Sequence, residues 1–211
     1  MIIYLEANIG AGKSTLLDKL KKSDLDVEII QEPVNDWLNL KDKNGKNILD
    51  CFYSDLKKWS FAFQINAFHT RIKKMENCNK DTVYIIERSI YSDKNCFAKN
   101  CLNNNIMNEI EWKIYSDMHA WAQKYILKPD GFIYLNTSPE VCMRRISVRN
   151  RKEENTISMD YLVELDKLHN EFFDKIEKKI ILNGDIDFGN NDWLPNIIIK
   201  IKNFIDKDIR K

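Results

Sequence analysis

The sequence lacks any apolar run near the ~18 residues that a membrane-spanning helix needs, and its first residues suggest a strand rather than a targeting segment. It also lacks a dominant charge, because 33 basic and 32 acidic residues leave a net charge of +1. Such a balance gives no overall attraction to nucleic acid or to a membrane surface. The five cysteines contain no C-x-x-C pair and favour reduced thiols. We therefore expect a cytoplasmic protein that binds neither nucleic acid nor membrane.

Internal repeats and low-complexity tracts are also missing. A length of 211 residues with 44% hydrophobic content suits a single domain, 1–211, with a sizeable core. Short β-branched runs alternate with longer helical patterns, as in βαβ units. Strands are predicted at 2–5, 27–30, 82–86, 132–135 and 180–182. We expect an α/β fold in which helices wrap a five-stranded parallel sheet.

The glycine loop after the first strand is the most informative motif. Gly10 and Gly12 would let backbone N–H groups turn toward phosphate at a helix N-terminus. Lys13 would reach the β- and γ-phosphates, and the Ser14 hydroxyl would bind Mg²⁺. The pattern G-x-x-x-x-G-K-[ST] has Ala7 at its first position, so the loop must reach its shape with a Cβ present. The motif predicts a P-loop that binds ATP or another NTP with Mg²⁺, against the alternative of a glycine-rich turn between core elements.

Acidic residues follow two predicted strands. Glu32 comes after the second strand, and Glu87 and Arg88 come after the third. Open α/β sheets bind ligands at the carboxyl ends of their strands. Either glutamate could therefore act as a general base or help to hold Mg²⁺, although each alone could also be a surface charge.

A long helix is predicted at 54–77, with two distinct faces. Phe61, Ile65, Phe68, Ile72 and Met75 form a core-facing stripe. Another face brings together an amide, a small residue and a guanidinium at i, i+3 and i+7, which are Gln64, Ala67 and Arg71. The second face indicates either a binding surface or a solvated helix face.

Arginines cluster in the helix that Ser138 and Pro139 are expected to start. The cluster comprises Arg144, Arg145, Arg149 and Arg151. Guanidinium groups bind phosphate oxygens bidentately, so with the P-loop this cluster predicts a lid at about 145–157. A solvated helix C-terminus is the alternative.

The region between the third and fourth strands is expected to be helical as far as about residue 127. Trp112, Tyr115, His119 and Trp121 have a spacing that suits packing or a subunit interface. His119 is expected to be packed or hydrogen-bonded rather than a ligand.

Together these residues give the chain a resemblance to the deoxynucleoside kinases, most closely to the deoxycytidine and deoxyguanosine kinase branch. The motifs that carry it span nearly the whole chain and are EANIGAGKST, EPVNDW, NGKNILDCFYSDLKKWSFAFQ, ERSIYSD, MNEIEWKIYSDMHAW and RNRKEE. The resemblance implies a P-loop kinase fold, a homodimer built through helices, and NTP-dependent phosphorylation of a deoxynucleoside 5′-hydroxyl. The segment between residues 40 and 46 is shorter than in the animal enzymes, which affects only a loop.

The resemblance also implies roles for individual residues. Glu32 would be the base at the 5′-hydroxyl, and Arg88 would steady that base and the phosphoryl group, with Lys13 and Arg149 completing the catalytic set. Glu87 would help Ser14 to hold Mg²⁺. The implied donor-binding residues are Asn8, Ile9, Gly10, Ala11, Gly12, Lys13, Ser14, Thr15, Arg145, Arg149 and Arg151, of which the three arginines resemble lid cations.

Substrate recognition is implied in the same way. Gln64 would read the nucleobase edge, apolar walls would come from Trp37, Phe63 and Phe97, and the sugar 3′-hydroxyl would bind Tyr53 and Glu154. The full implied set is Glu32, Trp37, Leu49, Tyr53, Phe63, Gln64, Ala67, Arg71, Arg88, Asp93, Phe97 and Glu154.

Arg71 lies two helical turns from Gln64, and we expect it to meet Asp93 as an ion pair at the far wall of the base pocket. The 5-methyl of thymine would cover these buried charges and leave them poorly satisfied. In the resembling family this combination, with a small residue at Ala67, accompanies deoxycytidine and purine deoxynucleosides. We therefore expect deoxycytidine, deoxyadenosine or deoxyguanosine to be preferred over thymidine.

Three alternatives remain at this point. The chain could be a broad-specificity or thymidine-accepting deoxynucleoside kinase. A nucleoside monophosphate kinase would share the P-loop and the arginines, but its charged acceptor would require cations at the acceptor end. A non-catalytic kinase-like subunit, as in respiratory complex I, would have a vestigial site, which the presence of Lys13, Glu32 and Arg88 disfavours.

Overall fold

A computed structural model describes residues 1–187 and 192–209. Its five strands form one sheet in the order β2-β3-β1-β4-β5, and every neighbouring pair is parallel. The strands are β1 Ile2–Glu6, β2 Glu28–Ile30, β3 Tyr84–Glu87, β4 Gly131–Asn136 and β5 Lys179–Asn183. The α/β fold with a five-stranded parallel sheet, expected from the sequence, is confirmed.

Helices connect and cover these strands. They are α1 Lys13–Leu20, α2 Val34–Asn39, α3 Ile48–Ser54, α4 Leu56–Lys74, α5 Ile90–Ser92, α6 Lys99–Asn103, α7 Glu109–Ala122, α8 Pro139–Arg149, α9 Met159–Asp174 and α10 Leu194–Asn203. A π-helical turn, Asp93–Ala98, joins α5 to α6, a 3₁₀ turn, Lys152–Glu154, follows α8, and a second π-helical turn, Phe204–Ile209, follows α10. None of the described helices has the length and apolar character required to span a bilayer.

The central strand β1 explains why the chain begins with an apolar run. Ile3 and Leu5 pack on one face of the sheet in a core that includes α1. Ile2 and Tyr4 pack on the other face with aromatic side chains that include Phe132. A parallel strand buried on both faces needs apolar residues throughout rather than alternation.

The predicted long helix begins later than expected. Ser54 ends α3, and Asp55 caps α4 because its side chain accepts a hydrogen bond from the Lys58 N–H at 3.1 Å. The predicted start of α8 at Pro139 is correct, but Ser138 does not cap it through its side chain. The Ser138 hydroxyl instead donates to Asp185 at 3.0 Å.

Helix α7 has one buried face and one exposed apolar face. Tyr115 is buried, and His119 is buried with its Nε2 3.0 Å from the Ile90 carbonyl oxygen, as expected for a hydrogen-bonded histidine. Trp121 is 58% exposed. It belongs to an exposed apolar stripe formed by Ile110, Ile114, Met118 and Trp121, which Tyr125 extends just beyond the helix.

The carboxyl ends of the central strands meet at one edge of the sheet. The P-loop follows β1, Glu32 follows β2 and Arg88 follows β3. Helix α4 and the π-helical turn after α5 pack together beside this edge. The topology therefore gathers residues that are far apart in the chain.

Candidate active site

A cavity of about 570 Å³ lies at this edge of the sheet. Every site residue expected from the sequence lines it, except Asn8. Six further residues also line it: Val34, Phe52, Arg144, Val148, Glu153 and Tyr161. Three of these six lie inside a quoted motif, Arg144 belongs to the arginine cluster and Val148 adjoins a motif, whereas Tyr161 on α9 carried no signal.

The P-loop shape depends on its glycines. Gly10 and Gly12 have φ angles of 77° and 100°, a region that side chains with a Cβ rarely occupy. A Cβ on Gly10 would lie 2.5 Å from the carbonyl oxygen of Cys142 in α8. No side chain among the described residues caps the N-terminus of α1, so its first N–H groups can bind an anion.

Ala7 fits the loop without backbone strain. It is wholly buried in the core and is absent from the described residues with a positive φ. Its carbonyl oxygen accepts a hydrogen bond from Arg88 Nη1 at 3.2 Å. The first position of the motif therefore tolerates a Cβ here.

The side chains of Lys13 and Asn8 bind different parts of the protein. Lys13 is buried, and its Nζ donates to the Asn8 carbonyl oxygen at 3.3 Å. Burial, with help from Arg88, lowers the pKa of Lys13 to about 8, so a bound phosphate would favour its charged form. The Asn8 side chain instead donates to the Leu162 carbonyl oxygen in α9 at 2.8 Å. Its expected place in the donor site is therefore limited to its backbone.

Ser14 and Glu87 form a pair of oxygen ligands suited to Mg²⁺. The Ser14 hydroxyl donates to Glu87 at 2.9 Å, and the other Glu87 oxygen accepts from the Glu32 N–H at 3.2 Å. Within 1–187 and 192–209 no group of three or more His, Cys, Asp or Glu residues could hold a metal ion. This donor set fits Mg²⁺, which usually takes few protein ligands and fills its shell with water and phosphate oxygens.

Glu32 is held by two guanidinium groups on the same oxygen. Arg71 Nη2 lies 2.7 Å and Arg88 Nε 3.2 Å from Glu32 Oε1. Burial alone would raise the pKa of Glu32, but Arg71 and Arg88 hold it at about 2. Oε2 accepts no hydrogen bond from any residue that the structure describes, so it can accept one from a ligand.

Arg71 contacts two carboxylates that line the cavity, Asp93 and Glu32. Its Nε lies 2.6 Å from Asp93 Oδ2, so the ion pair expected from the sequence is present. Its second contact, to Glu32, was not predicted, because helical spacing says nothing about a strand end elsewhere in the chain. The guanidinium carbon also lies 5.2 Å from the centre of the Trp37 ring.

The remaining walls are mostly apolar around one amide. Gln64 is 2% exposed and lines the cavity, and its side-chain amide makes no hydrogen bond with the residues that the structure describes. Phe63 packs against Trp37 with ring centres 5.4 Å apart and stacks on Phe52 at 4.6 Å. Ala67 is 2% exposed and leaves room beside Gln64. The amide can therefore pair with a polar ring edge in an apolar slot.

Arg88 occupies an unusual backbone conformation. Its φ is 64°, in the left-handed region that non-glycine residues seldom adopt. The guanidinium lies 4.4 Å from the centre of the Phe97 ring and contacts both Glu32 and the P-loop. Strained residues of this kind are concentrated at functional sites.

The lid arginines do not act alike. Arg149 Nη2 donates to Glu154 Oε2, and Arg151 Nη1 lies 3.1 Å from Glu154 Oε1. Arg145 instead donates to the carbonyl oxygens of Ala11, at 2.7 Å, and Ile186. Arg145 is therefore tied to the P-loop backbone, whereas Arg149 and Arg151 are paired with Glu154.

Comparisons with known proteins point to the same chemistry. A family model described as "Deoxynucleoside kinase" matches residues 3–206. Human deoxycytidine kinase is 35% identical, over 96% of this chain and 90% of that protein. A probable deoxycytidine kinase of fowlpox virus is 37% identical, over 97% and 88%. The mitochondrial deoxyguanosine kinase of Xenopus laevis is 31% identical, over 95% and 81%.

Proposed function

The chain belongs to the deoxynucleoside kinase family, and we propose that it phosphorylates the 5′-hydroxyl of deoxycytidine, deoxyadenosine or deoxyguanosine in preference to thymidine. The phosphate donor is ATP or another NTP. The observation that carries the substrate choice is the buried Arg71 guanidinium, joined to Asp93 at 2.6 Å and to Glu32 at 2.7 Å.

The reaction centre is Glu32. Its Oε2 would accept the proton of the 5′-hydroxyl while Oε1 stays fixed by Arg71 and Arg88. A pKa of about 2 makes Glu32 a weak base. This is compatible with phosphoryl transfer, whose loose transition state needs little proton removal before the new bond forms.

The donor phosphates would lie on the P-loop N–H groups and Lys13. Arg149 and Arg151 would leave Glu154 to contact the transferring group, as cations that stabilise its negative charge. Mg²⁺ held by Ser14 and Glu87 would neutralise phosphate charge. We further propose that residues 1–211 form one domain, with a lid at about 145–157. Within this domain, 188–191 and 210–211 lie outside the described residues.

The nucleobase would lie between the aromatic walls with its polar edge on Gln64. The Arg71 and Asp93 pair ends this slot, and both side chains are buried. A thymine 5-methyl placed against them would exclude water without offering a hydrogen bond, which is unfavourable for buried charges. Cytosine and purines bring no methyl to this wall.

The test is kcat/KM for the four deoxynucleosides, measured for the wild type and for the double variant Arg71→Met with Asp93→Ala. The double variant should raise the ratio of thymidine to deoxycytidine. Because Arg71 also holds Glu32, absolute rates can fall, so the ratio is the informative quantity. Arg71→Lys is the matched control, since it keeps the charge at this wall and should leave thymidine disfavoured. A wild type that prefers thymidine, or an unchanged ratio, would contradict the proposal.

Adding the four deoxynucleoside monophosphates to this panel as acceptors distinguishes a nucleoside monophosphate kinase from a deoxynucleoside kinase. The acceptor end of the cavity is lined by Trp37, Phe52 and Phe63, and the two arginines nearby are engaged by carboxylates. A phosphorylated acceptor would find no unpaired cation among these residues. Activity on deoxynucleoside monophosphates alone would overturn this reading, and activity on neither acceptor would favour a non-catalytic protein.

We further propose a homodimer through α7. Its exposed apolar stripe includes Ile110 at 70% and Trp121 at 58% exposure, whereas Tyr115 on the same helix is buried. Contiguous exposed apolar side chains of this size usually mark an interface. Light scattering should give twice the chain mass for the wild type and the monomer mass for Ile114→Glu, while Lys113→Glu, a neighbouring exposed change, should remain dimeric. A monomeric wild type would refute the dimer.

A further inference from the structure

Glu6 is a buried carboxyl group that the proposed reaction does not use. It is the last residue of β1, is wholly buried, and pairs in register with Tyr134 of β4. Ionisable side chains are almost never buried this completely without a partner. One of its oxygens, Oε2, has no hydrogen-bond partner among the described residues.

The other oxygen holds Ser89. Glu6 Oε1 accepts a hydrogen bond from the Ser89 hydroxyl. The same hydroxyl accepts hydrogen bonds from the N–H groups of Tyr91 and Ser92, each at 3.1 Å, and so caps α5. Glu6 thereby fixes the orientation of the residue that follows Arg88.

Arg88 needs such support. Its φ of 64° is unfavourable by ~1–2 kcal/mol for a residue with a Cβ, so both flanks must hold the turn. On one flank the Arg88 N–H donates to the Leu5 carbonyl oxygen at 3.0 Å. On the other flank Ser89 is bound to Glu6. Leu5 and Glu6 are neighbours on β1, so one strand end fixes both sides of the turn.

We propose that Glu6 is a positioning residue that, by accepting the Ser89 hydrogen bond, aims the Arg88 guanidinium at Glu32. The inference rests on the proposed kinase function, because Arg88 matters for turnover only if Glu32 receives the substrate proton. If residue 6 only filled space in the core, an apolar side chain would be more stable there, because an unpaired buried carboxyl oxygen destabilises the fold.

The protonation state of Glu6 does not change this role. Burial and Asp93 raise its pKa, while Ser89, Ser92 and Arg88 lower it, and the result is about 7. Either form keeps an oxygen that can accept the Ser89 hydrogen bond. Glutamine, which mimics the neutral acid, should therefore replace Glu6, whereas a side chain without an acceptor should not.

The kinetic test compares Glu6→Gln with Glu6→Met. Glu6→Gln should keep kcat within about threefold, whereas Glu6→Met should lower kcat ~10–100-fold with a deoxynucleoside KM changed by less than about threefold. Ile3→Ala is the matched control, because it removes core packing from the same strand without touching this network. Its kcat per folded molecule should stay at the wild-type value. Equal kcat in both Glu6 variants, or a loss explained by the unfolded fraction, would overturn the proposal.

A second measurement does not depend on activity. In ¹⁵N-arginine-labelled protein, the Arg88 Nε–H resonance, assigned with Arg88→Lys, should shift toward the free-arginine position in Glu6→Met and stay in place in Glu6→Gln. If this shift occurs but the wild type phosphorylates no deoxynucleoside, the proposed function fails and the positioning role stands. An unmoved resonance in Glu6→Met would overturn the positioning role itself.

Discussion

Glu32→Gln tests whether the two arginines are organised around a charge. Glutamine keeps the size of the side chain and resembles the protonated acid. In the folded protein the pKa of Glu32 is about 2, against 4.5 for an unperturbed glutamate. At 1.36 kcal/mol per pKa unit, this difference favours the carboxylate over the neutral group by on the order of 3 kcal/mol. Glu32→Gln should therefore lower the free energy of unfolding by about that amount at pH 7.

The pH dependence gives the sign of the effect. A carboxyl group with a depressed folded-state pKa contributes stability that is complete above about pH 4.5 and is lost as the pH falls toward 2. The stability gap between wild type and Glu32→Gln should therefore narrow by roughly 2 kcal/mol between pH 7 and pH 3. Urea unfolding at several pH values measures the gap. Glu28→Gln, at an exposed glutamate on β2, the strand that precedes Glu32, is the control and should change stability by less than about 0.5 kcal/mol.

The same variant reports on catalysis. Turnover should fall ~10²-fold or more, because the proton acceptor is lost, while deoxynucleoside binding should change little. A stability gap that is absent at pH 7, or equally large at pH 3, would refute the charge-pairing argument. Near wild-type turnover would refute Glu32 as the base.

Four residues of the P-loop and the lid give further predictions. Gly10→Ala should destabilise the fold by more than ~2 kcal/mol in thermal unfolding, because a clash with α8 adds to the backbone strain. Gly45→Ala, with a similar φ of 80° and open space around it, should lose less stability. An equal loss of stability in both variants would mean that the clash of residue 10 with α8 is relieved. Ala7→Gly should lower stability by ~1 kcal/mol and leave ATP affinity unchanged in calorimetry; a large loss of affinity would make its methyl group a designed contact. ATP affinity should fall as the pH rises above about 8, where free Lys13 loses its proton, with proton uptake on binding; Lys13→Met should abolish this dependence, and its persistence would assign it to another group. Arg149→Ala should lower kcat much more than it changes deoxynucleoside KM in steady-state kinetics; equal effects would make it a binding residue.

The fold could be predicted from local patterns to a large extent. The apolar run of β1, the glycine loop and the β-branched runs are each read from a few neighbouring residues, and all five predicted strands are present. The start of α4 was placed too early because Ser54 and Asp55 can both cap a helix. The side chain of Ser138 was assigned to a cap that it does not make, because Asp185 is 47 positions away in the chain.

The sequence predicted which residues form the site, but not which of them contact one another. Motif spacing and family resemblance identified most of the residues that line the cavity, and helical periodicity placed Arg71 near Gln64. The contacts of Arg71 with Glu32 and of Arg149 with Glu154 depend on which charged groups the fold brings together, which local sequence patterns do not show. Glu6 was missed because its role depends on a contact with Ser89, which is 83 positions away in the chain.

The central place of β1 has a consequence for how the protein is made. The strand leaves the ribosome before its partners Tyr84–Glu87 and Gly131–Asn136, which follow about 80 and 130 residues later. Until β4 emerges, β1 can pair only with β3. The P-loop that follows β1 is then not held in its final position. Such long-range parallel pairing forms slowly and leaves apolar segments exposed to other chains meanwhile. Nascent chains that end before about residue 140 should therefore be the ones that engage chaperones and fail to retain ATP.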